Sequence, residues 1–244
     1  MRDKIEVIIM NQNFKKIFFA ITVIVMLIAI YMVFFYAPVP VKLERPPDAT
    51  DPIIWENYRN SFKIFYFHIP IAISAYVALT IVFLSSIGYL RHQEPKWDLL
   101  AKSSAEVGVI FAGLTLISGS IWAKSAWNVY WVWDLRLTTS LVLFLIYLAY
   151  LALRQAITDA PEKQARLSAV FGIVGFICVP LSFLSIRLWR TQHPLVLGPG
   201  GGCISGSVVI STLLVNFVAY LLMCALLIWM RMDNEKLILA SREQ

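Results

Sequence analysis

The stretch "IFFAITVIVMLIAIYMVFFY", residues 17–36, runs for 20 residues without a charged side chain. A helix of about 20 apolar residues is long enough to cross the roughly 30 Å hydrocarbon core of a bilayer. The whole chain of 244 residues is 59% hydrophobic and only 15% charged, with a mean hydropathy of +0.71. Such a chain lacks the polar surface needed to enclose a water-soluble core. We therefore predict a membrane protein.

Five further apolar runs have the character of membrane spans. They cover residues 66–90, 107–121, 137–153, 167–186 and 208–230. The predicted fold is all-α: an integral membrane bundle of six transmembrane helices forming a single domain over residues 1–244. The first run is longer than the roughly 7 to 15 apolar residues of a cleavable signal, and "YAPVPV" (36–41) has no small-x-small cleavage site, so we interpret it as a retained anchor.

The distribution of basic residues predicts the orientation of the bundle. With six spans, 13 of the 21 Lys and Arg residues fall on the side of the two termini, and eight fall on the other side. The positive-inside rule then places both termini in the cytoplasm and the loops after spans one, three and five outside. We interpret the net charge of +6 as this orientation signal and expect no nucleic-acid partner.

Several kinds of site are missing from the sequence. The chain has no C-x-x-C-H for covalent haem attachment and no phosphate-binding G-x-x-x-x-G-K-[ST], so "GPGGG" (198–202) is predicted to be a flexible turn. The three cysteines do not suggest a disulfide framework, because Cys178 and Cys224 fall inside spans and Cys203 falls in the glycine-rich loop.

An unusual concentration of tryptophan lies between spans three and four. "WAKSAWNVYWVWD", residues 122–134, holds four of the eight tryptophans of the chain. Tryptophan clusters at the ends of spans usually form an interfacial belt, but they also provide a surface on which a flat ligand stacks. Asp134 precedes span four, where it can cap the helix, accept an indole N–H or pair with Arg136. We predict an extracytoplasmic tryptophan-rich loop over residues 122–136.

Two histidines fall on the same predicted outer side as this loop. His68 lies in "FYFHIP" at the mouth of span two, where Pro70 suits a first helical turn, and His193 lies in "RLWRTQHP" between spans five and six. His92 falls in a polar cytoplasmic loop and is predicted to be solvated. Haem iron takes two axial imidazoles, and indole rings can cover the macrocycle. The carboxylates of haem can pair with basic residues on this side: Lys124, Arg136, Arg187 and Arg190.

Other interpretations of these residues stay open. A lone histidine at a helix end most often only makes hydrogen bonds, and the tryptophans can serve as an anchor in a non-catalytic exporter subunit. A third hypothesis is a haem- or quinone-using oxidoreductase, which normally needs histidine pairs inside the spans, whereas no histidine of this chain lies mid-membrane. Glu106 is either a functional intramembrane carboxylate or, as its proximity to Lys102 favours, part of a boundary ion pair.

The segment "GSIWAKSAWNVYWVWDLRLTTSL" (119–141) closely resembles the tryptophan-rich WWD motif of haem-handling membrane proteins, which reads roughly W-G-x-x-x-W-G-x-x-W-x-W-D. With "KIFYFHIP" upstream and "RLWRTQHP" downstream, nearly the whole chain resembles the haem exporter protein C family of cytochrome c maturation. The chain departs from the motif at Ala123 and Asn128, where the family usually has glycine, and at Ser125, where proline is common.

The resemblance implies a membrane haem-binding and transfer protein rather than an enzyme. It implies that His68 and His193 are the axial ligands of a non-covalent haem b, and that a platform for haem and partner is formed by Trp122, Trp127, Trp131, Trp133 and Asp134, with Arg136 beside it. The implied location is the bacterial cytoplasmic (inner) membrane, with the haem site on the periplasmic side. The implied partners are the periplasmic haem chaperone (cytochrome c maturation protein E), the ABC transporter formed by maturation proteins A and B, and the small one-span maturation protein D.

Overall fold

The computed structural model describes residues 2–40, 51–189 and 206–242, and these residues form helices and connecting turns without a β-strand. The helices are α1 (Arg2–Tyr31), α2 (Pro52–Ser61), α3 (Phe65–His92), α4 (Pro95–Trp127), α5 (Leu135–Ala156), α6 (Pro161–Gly175), α7 (Cys178–Leu188) and α8 (Ser207–Arg242). A π-helical turn, Met32–Tyr36, extends α1, and a 3₁₀ turn, Phe62–Ile64, joins α2 to α3.

Six helical segments of the described residues are long and apolar enough to span a membrane, as the sequence predicts. They are Gln12–Tyr36, Pro52–His92, Pro95–Trp127, Leu135–Ala156, Pro161–Ser185 and Ser207–Ile238. The all-α bundle of six spanning helices is therefore confirmed. Much of α1 and α8 exposes large apolar side chains, for example Leu27 and Leu214, as expected for residues that face lipid.

The antiparallel pair α3 and α4 forms the centre of the bundle. On one side, residues such as Leu79 and Val109 pack with Tyr147 of α5 and Val179 of α7. On the other side, residues of the same two helices, including Ala75 and Phe111, pack with Cys224 and Ile228 of α8. The central pair therefore has a hydrophobic core on each of its two sides. Helix α1 packs against α8.

Small residues allow α3 and α4 to approach closely. A Cβ placed on Gly108 of α4 would lie 2.7 Å from Leu79 Cδ2 of α3, which is shorter than a van der Waals contact. Ala75 and Ala78 of α3 and Ala101 and Ala105 of α4 are also buried. Close backbone approach through small residues is the usual packing mode of membrane helices, because lipid tails provide no hydrophobic drive between them.

The boundaries of three elements differ from the sequence expectations. Span five is broken between α6 and α7 at Phe176–Ile177, just before Pro180, which has no N–H to continue the helical ladder. Pro70 lies inside α3, five residues after its start, so the prediction that it occupies a first helical turn was wrong. The segment predicted as a loop over residues 122–136 is helical up to Trp127 and again from Leu135, which leaves only residues 128–134 outside helices.

Ion pairs tie the helices together at the end of the bundle opposite residues 122–134. Arg154 of α5, which is 6% exposed, forms a bidentate ion pair with Asp98 of α4, with N–O distances of 2.7 and 2.6 Å. Glu106 of α4 pairs with Arg231 of α8, and Lys102 pairs with Glu235 at 2.6 Å. The expected Glu106–Lys102 pair is therefore wrong in its partner, although Glu106 is a member of a boundary ion pair.

Candidate functional site

His68 lies in the first turn of α3 and faces α4. Its Nδ1 atom is 2.9 Å from the hydroxyl oxygen of Ser118, and that hydroxyl is also 3.2 Å from the carbonyl oxygen of Thr115. The backbone of Gly119 packs against the same imidazole, since a Cβ at this glycine would lie 3.1 Å from His68 Cε1. The imidazole is therefore held by two adjacent residues of α4, neither of which was a predicted site residue.

Two of the four tryptophans belong to α4 rather than to a loop. Trp122 lies one helical turn beyond Ser118 on the same face of the helix, because residues four apart are neighbours on a helix surface. The indoles of Trp122 and Trp127 meet edge to face, with ring centroids 5.1 Å apart. The structure thus places Trp122 and His68 at neighbouring levels of the α3–α4 interface, although they are 54 positions apart in sequence.

A row of aromatic rings from α2 and the 3₁₀ turn that follows it continues this contact. Trp55, Tyr58 and Phe62 pack in succession with centroid distances of 5.6 and 5.3 Å, and Phe62 meets Trp122 edge to face at 5.5 Å. These three residues were not among the predicted site residues. Residues spaced three and four positions apart lie on one face of a helix. This aromatic spacing just upstream of His68 is the feature of the sequence that predicts that the three rings lie on one face.

The other two tryptophans lie in the short connection between α4 and α5. Trp131 is half-buried, Trp133 is 77% exposed, and their ring centroids are 5.7 Å apart. Tyr130 is also exposed, at 62%. We call Trp122, Trp127, Trp131 and Trp133 the tryptophan cluster, and the end of the bundle that carries it the tryptophan end. The cluster therefore combines a packed half on α4 with a largely exposed aromatic surface on the connection.

Asp134 caps α5, which was one of three roles expected from the sequence. Its Oδ1 accepts a hydrogen bond of 2.8 Å from the backbone N–H of Leu137. Its Oδ2 and the indole Nε1 of Trp131 are both buried, and neither has a hydrogen-bond partner among the described residues. The cluster thus has one buried acceptor and one buried donor unsatisfied, and buried polar atoms of this kind are commonly satisfied by water or a ligand.

The basic side chains at this end have partners that the sequence did not predict. Arg136 Nη1 donates to the carbonyl oxygens of Ser182 at 2.7 Å and Phe183 at 3.3 Å on α7, so it joins α5 to α7 instead of pairing with Asp134. Lys124 donates to the side-chain and backbone oxygens of Asn128, whose φ of 59° ends α4. Arg187 lies exposed on the last turn of α7.

The remaining predicted site residues, His193 and the basic Arg190, lie outside the described residues. α7 ends at Leu188 and α8 begins at Ser207. The structure therefore brings together His68, the tryptophan cluster and Asp134 at one end of the bundle, with Arg136 in the first turn of α5. His92 is exposed at the other end, where its ring stacks on Trp97.

This arrangement has the chemistry that a haem would need. It offers an imidazole that can coordinate iron, an exposed aromatic surface for a flat macrocycle, and a guanidinium at the same end for a carboxylate. Among the described residues no group of three or more His, Cys, Asp or Glu side chains is placed to hold a bare metal ion.

Comparisons with known proteins give the family. The model of the Heme exporter protein C family matches residues 4–244. The chain is 37% identical over 175 residues to Heme exporter protein C of Bradyrhizobium diazoefficiens, which covers 71% of this chain and 66% of that protein. It is 32% identical over 187 residues to Heme exporter protein C of Escherichia coli K12, covering 75% and 74% of the two chains.

A third relative is a ccmC-like mitochondrial protein of Marchantia polymorpha whose name refers to cytochrome c biosynthesis. It is 35% identical over 138 residues, which cover 57% of this chain and 56% of the relative. The chain thus spans just under two thirds of the Bradyrhizobium protein and little more than half of the Marchantia protein. Because the family model matches almost every residue, the chain belongs to the Heme exporter protein C family.

Proposed function

We propose that this protein binds haem at the tryptophan end and transfers it to a periplasmic haem chaperone during c-type cytochrome biogenesis. The observation that carries the proposal is the position of His68. Its imidazole is held by Ser118, one helical turn from Trp122, so an iron ligand and an aromatic surface adjoin each other. Family membership and the cytochrome c biosynthesis relative support haem as the ligand.

In this proposal each predicted site residue has a separate task. His68 and His193 bind the iron of a non-covalent haem b from the two faces of the ring. The tryptophan cluster covers the macrocycle and forms the surface on which the chaperone docks, and Asp134 fixes the connection that carries Trp131 and Trp133. Arg136 keeps part of its guanidinium for a haem carboxylate while Nη1 holds α7.

The proposed cellular setting follows the family and the charge distribution. The protein lies in the bacterial inner membrane with the tryptophan end on the periplasmic side. Its proposed partners are cytochrome c maturation protein E as the haem acceptor, the ABC transporter formed by maturation proteins A and B, and the one-span maturation protein D. The protein itself acts as a carrier and not as an enzyme.

The binding part of the proposal is tested by absorption spectroscopy of the purified protein reconstituted with haemin. We expect a six-coordinate low-spin spectrum that His68→Ala and His193→Ala each weaken and change, since either variant loses one axial bond. His92→Ala is the matched control, because this exposed histidine lies at the opposite end. A wild-type spectrum in the double variant His68→Ala/His193→Ala would show that the ligands lie elsewhere.

A second candidate function is favoured by the 77% exposure of Trp133, which is also typical of an interfacial anchor. In that case the protein is a non-catalytic exporter subunit and its tryptophans only position the helices in the membrane. The two functions differ in what the exposed tryptophans contribute to haem delivery.

Measuring haem bound and haem passed to the chaperone in one preparation separates the two functions. We expect Trp131→Ala and Trp133→Ala to keep the haem spectrum but to impair delivery, since each lost stacking contact costs about 1–3 kcal/mol by analogy with aromatic stacking on bases. The Phe variants should be milder because an aromatic face remains. Trp229→Ala, at the other end of the bundle against Phe14 and Phe18, is the control. Delivery at the wild-type rate by both Ala variants would support the anchor.

A further inference from the structure

The contact between His68 and Ser118 defines more than the position of the ring. A neutral imidazole carries one hydrogen, on either Nδ1 or Nε2, and the group that bonds one nitrogen decides which nitrogen retains a lone pair. Ser118 is the group that bonds Nδ1 of His68, at 2.9 Å. The direction of this hydrogen bond therefore helps to set which nitrogen of His68 can bind a metal.

The hydroxyl of Ser118 has a second partner. Its oxygen lies 3.2 Å from the carbonyl oxygen of Thr115, one turn earlier in α4. Serine in a helix commonly donates to a carbonyl three or four residues back, and a carbonyl oxygen can only accept. Since the hydroxyl has a single hydrogen, donation to Thr115 leaves a lone pair facing His68. Nδ1 then carries the hydrogen, and Nε2 carries the lone pair that coordinates iron.

Gly119 restricts the same ring from its other side. A Cβ at this position would lie 3.1 Å from Cε1 of His68, 3.8 Å from Nδ1 and 4.0 Å from Nε2. Glycine inside a helix costs roughly 1 kcal/mol relative to alanine, so helix propensity does not favour it here. Its packing against the imidazole gives it a role, because any larger residue displaces the ring.

We propose that Ser118 and Gly119 are positioning residues for His68: Ser118 fixes the tautomer with the hydrogen on Nδ1, and Gly119 provides the space in which the ring presents Nε2 to iron. This inference rests on the proposed function, in which His68 binds haem. Outer partners of this kind raise the basicity of a metal-binding histidine, and their loss typically costs about 10- to 100-fold in metal affinity. Ser118 thus contributes to the affinity and reduction potential of the bound haem without touching it.

The tautomer is tested first in the haem-free full-length protein. Nitrogen NMR of protein labelled with ¹⁵N-histidine, with the His68 signals identified by their loss in His68→Ala, distinguishes a protonated from an unprotonated ring nitrogen. We expect a protonated Nδ1 and an unprotonated Nε2 in the wild-type protein. A protonated Nε2 in the wild-type protein overturns the inference and leaves the proposed function standing.

The effect on haem is tested by haemin titration and spectroelectrochemistry of wild type, Ser118→Ala, Ser118→Thr and Ser120→Ala. We expect Ser118→Ala to keep a low-spin spectrum, to bind haemin about 10-fold more weakly or worse, and to have a more positive reduction potential because a less basic imidazole stabilises ferric iron less. Ser118→Thr keeps the hydroxyl and should restore both values. Ser120→Ala, on another face of α4, should match the wild type.

Gly119→Ala gives an independent measure of ring position. We expect it to change the electron paramagnetic resonance g-values of the ferric haem, because the imidazole must move by a few tenths of an ångström to admit the new methyl group. Wild-type affinity and potential in Ser118→Ala overturn the inference alone. A wild-type haem spectrum in His68→Ala overturns the proposed role of His68 and the inference together.

Discussion

Among single residues, Asp134 shows how one side chain organises the tryptophan end. Its Oδ1 satisfies the Leu137 N–H at the start of α5, where the first N–H groups of a helix have no internal partner. Its charge also lies favourably near the positive end of the helix dipole. Because Arg136 bonds carbonyls of α7 and not Asp134, the charge of the carboxylate does not order the connection through that arginine.

This geometry predicts different outcomes for two substitutions of Asp134. Asp134→Ala removes the cap and should lower the free energy of unfolding by about 1 kcal/mol, within the range of about 0.5–2 kcal/mol for such caps. Asp134→Asn keeps an acceptor oxygen and loses only the helix-dipole contribution of about 0.3–1 kcal/mol, so it should be less destabilised than Asp134→Ala and close to wild type in haem delivery. Thermal unfolding in detergent measures the first effect, and the chaperone transfer assay measures the second.

A strong loss of delivery in Asp134→Asn would contradict this prediction. It would mean that the buried Oδ2 needs its charge, for instance to satisfy a donor such as the Trp131 indole when haem is bound. Asp51, which caps α2 through Ile53 and Ile54, is the matched control position for the stability measurement.

Between helices, the register of α3 against α4 is what builds the site. The His68–Ser118 contact and the Leu79–Gly108 contact lie at two levels of the same antiparallel interface. A shift of either helix along its axis by one residue, about 1.5 Å, would separate both pairs. Close packing in the middle of the bundle therefore fixes the geometry at its end.

Enlarging the middle of this interface should therefore affect both stability and haem binding. Gly108→Ala places a Cβ 2.7 Å from the fully buried Leu79, and overpacking of this kind costs about 1–3 kcal/mol. We expect a lower unfolding temperature and weaker haemin binding from the same variant. Both are measured on detergent-purified protein.

The double variant Gly108→Ala/Leu79→Ala tests whether overpacking against Leu79 causes the loss of stability in Gly108→Ala. It makes space for the added methyl group, so its loss of stability should be smaller than the sum of the two single losses, as expected for residues in contact. Strictly additive losses would show that Gly108 matters for some reason other than its contact with Leu79.

Across the bundle as a whole, the two ends differ in chemistry. The tryptophan end presents aromatic rings and a histidine, whereas the opposite end is joined by ion pairs between α4, α5 and α8, including Arg154–Asp98 and Lys102–Glu235. This asymmetry agrees with the distribution of basic residues along the sequence, 13 of 21 of which fall at the end with the ion pairs. The distribution of basic residues predicts that the end with the ion pairs faces the cytoplasm.

Topology reporters test this orientation directly. A reporter fused after Gln244 should be active only in the cytoplasm, and one inserted near Gly200 should be active only on the outer side, because the excess of Lys and Arg lies in the loops shared with the termini. Paired reporters of opposite compartment preference provide the control at each position. The reverse pattern would place the tryptophan end in the cytoplasm and contradict delivery to a periplasmic chaperone.

The six spans, the tryptophan cluster, the candidate helix cap at Asp134 and the family could all be predicted from the amino-acid order. Each of these is encoded locally: an uninterrupted apolar run marks a span, and an Asp before such a run marks a helix start. The resemblance likewise rests on one contiguous motif, residues 119–141, with a histidine segment on each side.

Which residues of different helices meet was visible only in the packed bundle. Nothing in the sequence favours Ser118 as the partner of His68, Arg231 as the partner of Glu106, or α7 as the partner of Arg136. The physical reason is that in a membrane both the lipid-facing and the buried sides of a helix are apolar, so hydrophobic periodicity does not mark the contact face. The register between helices, which small residues such as Gly108 and Gly119 help to set, determines which of these side chains meet.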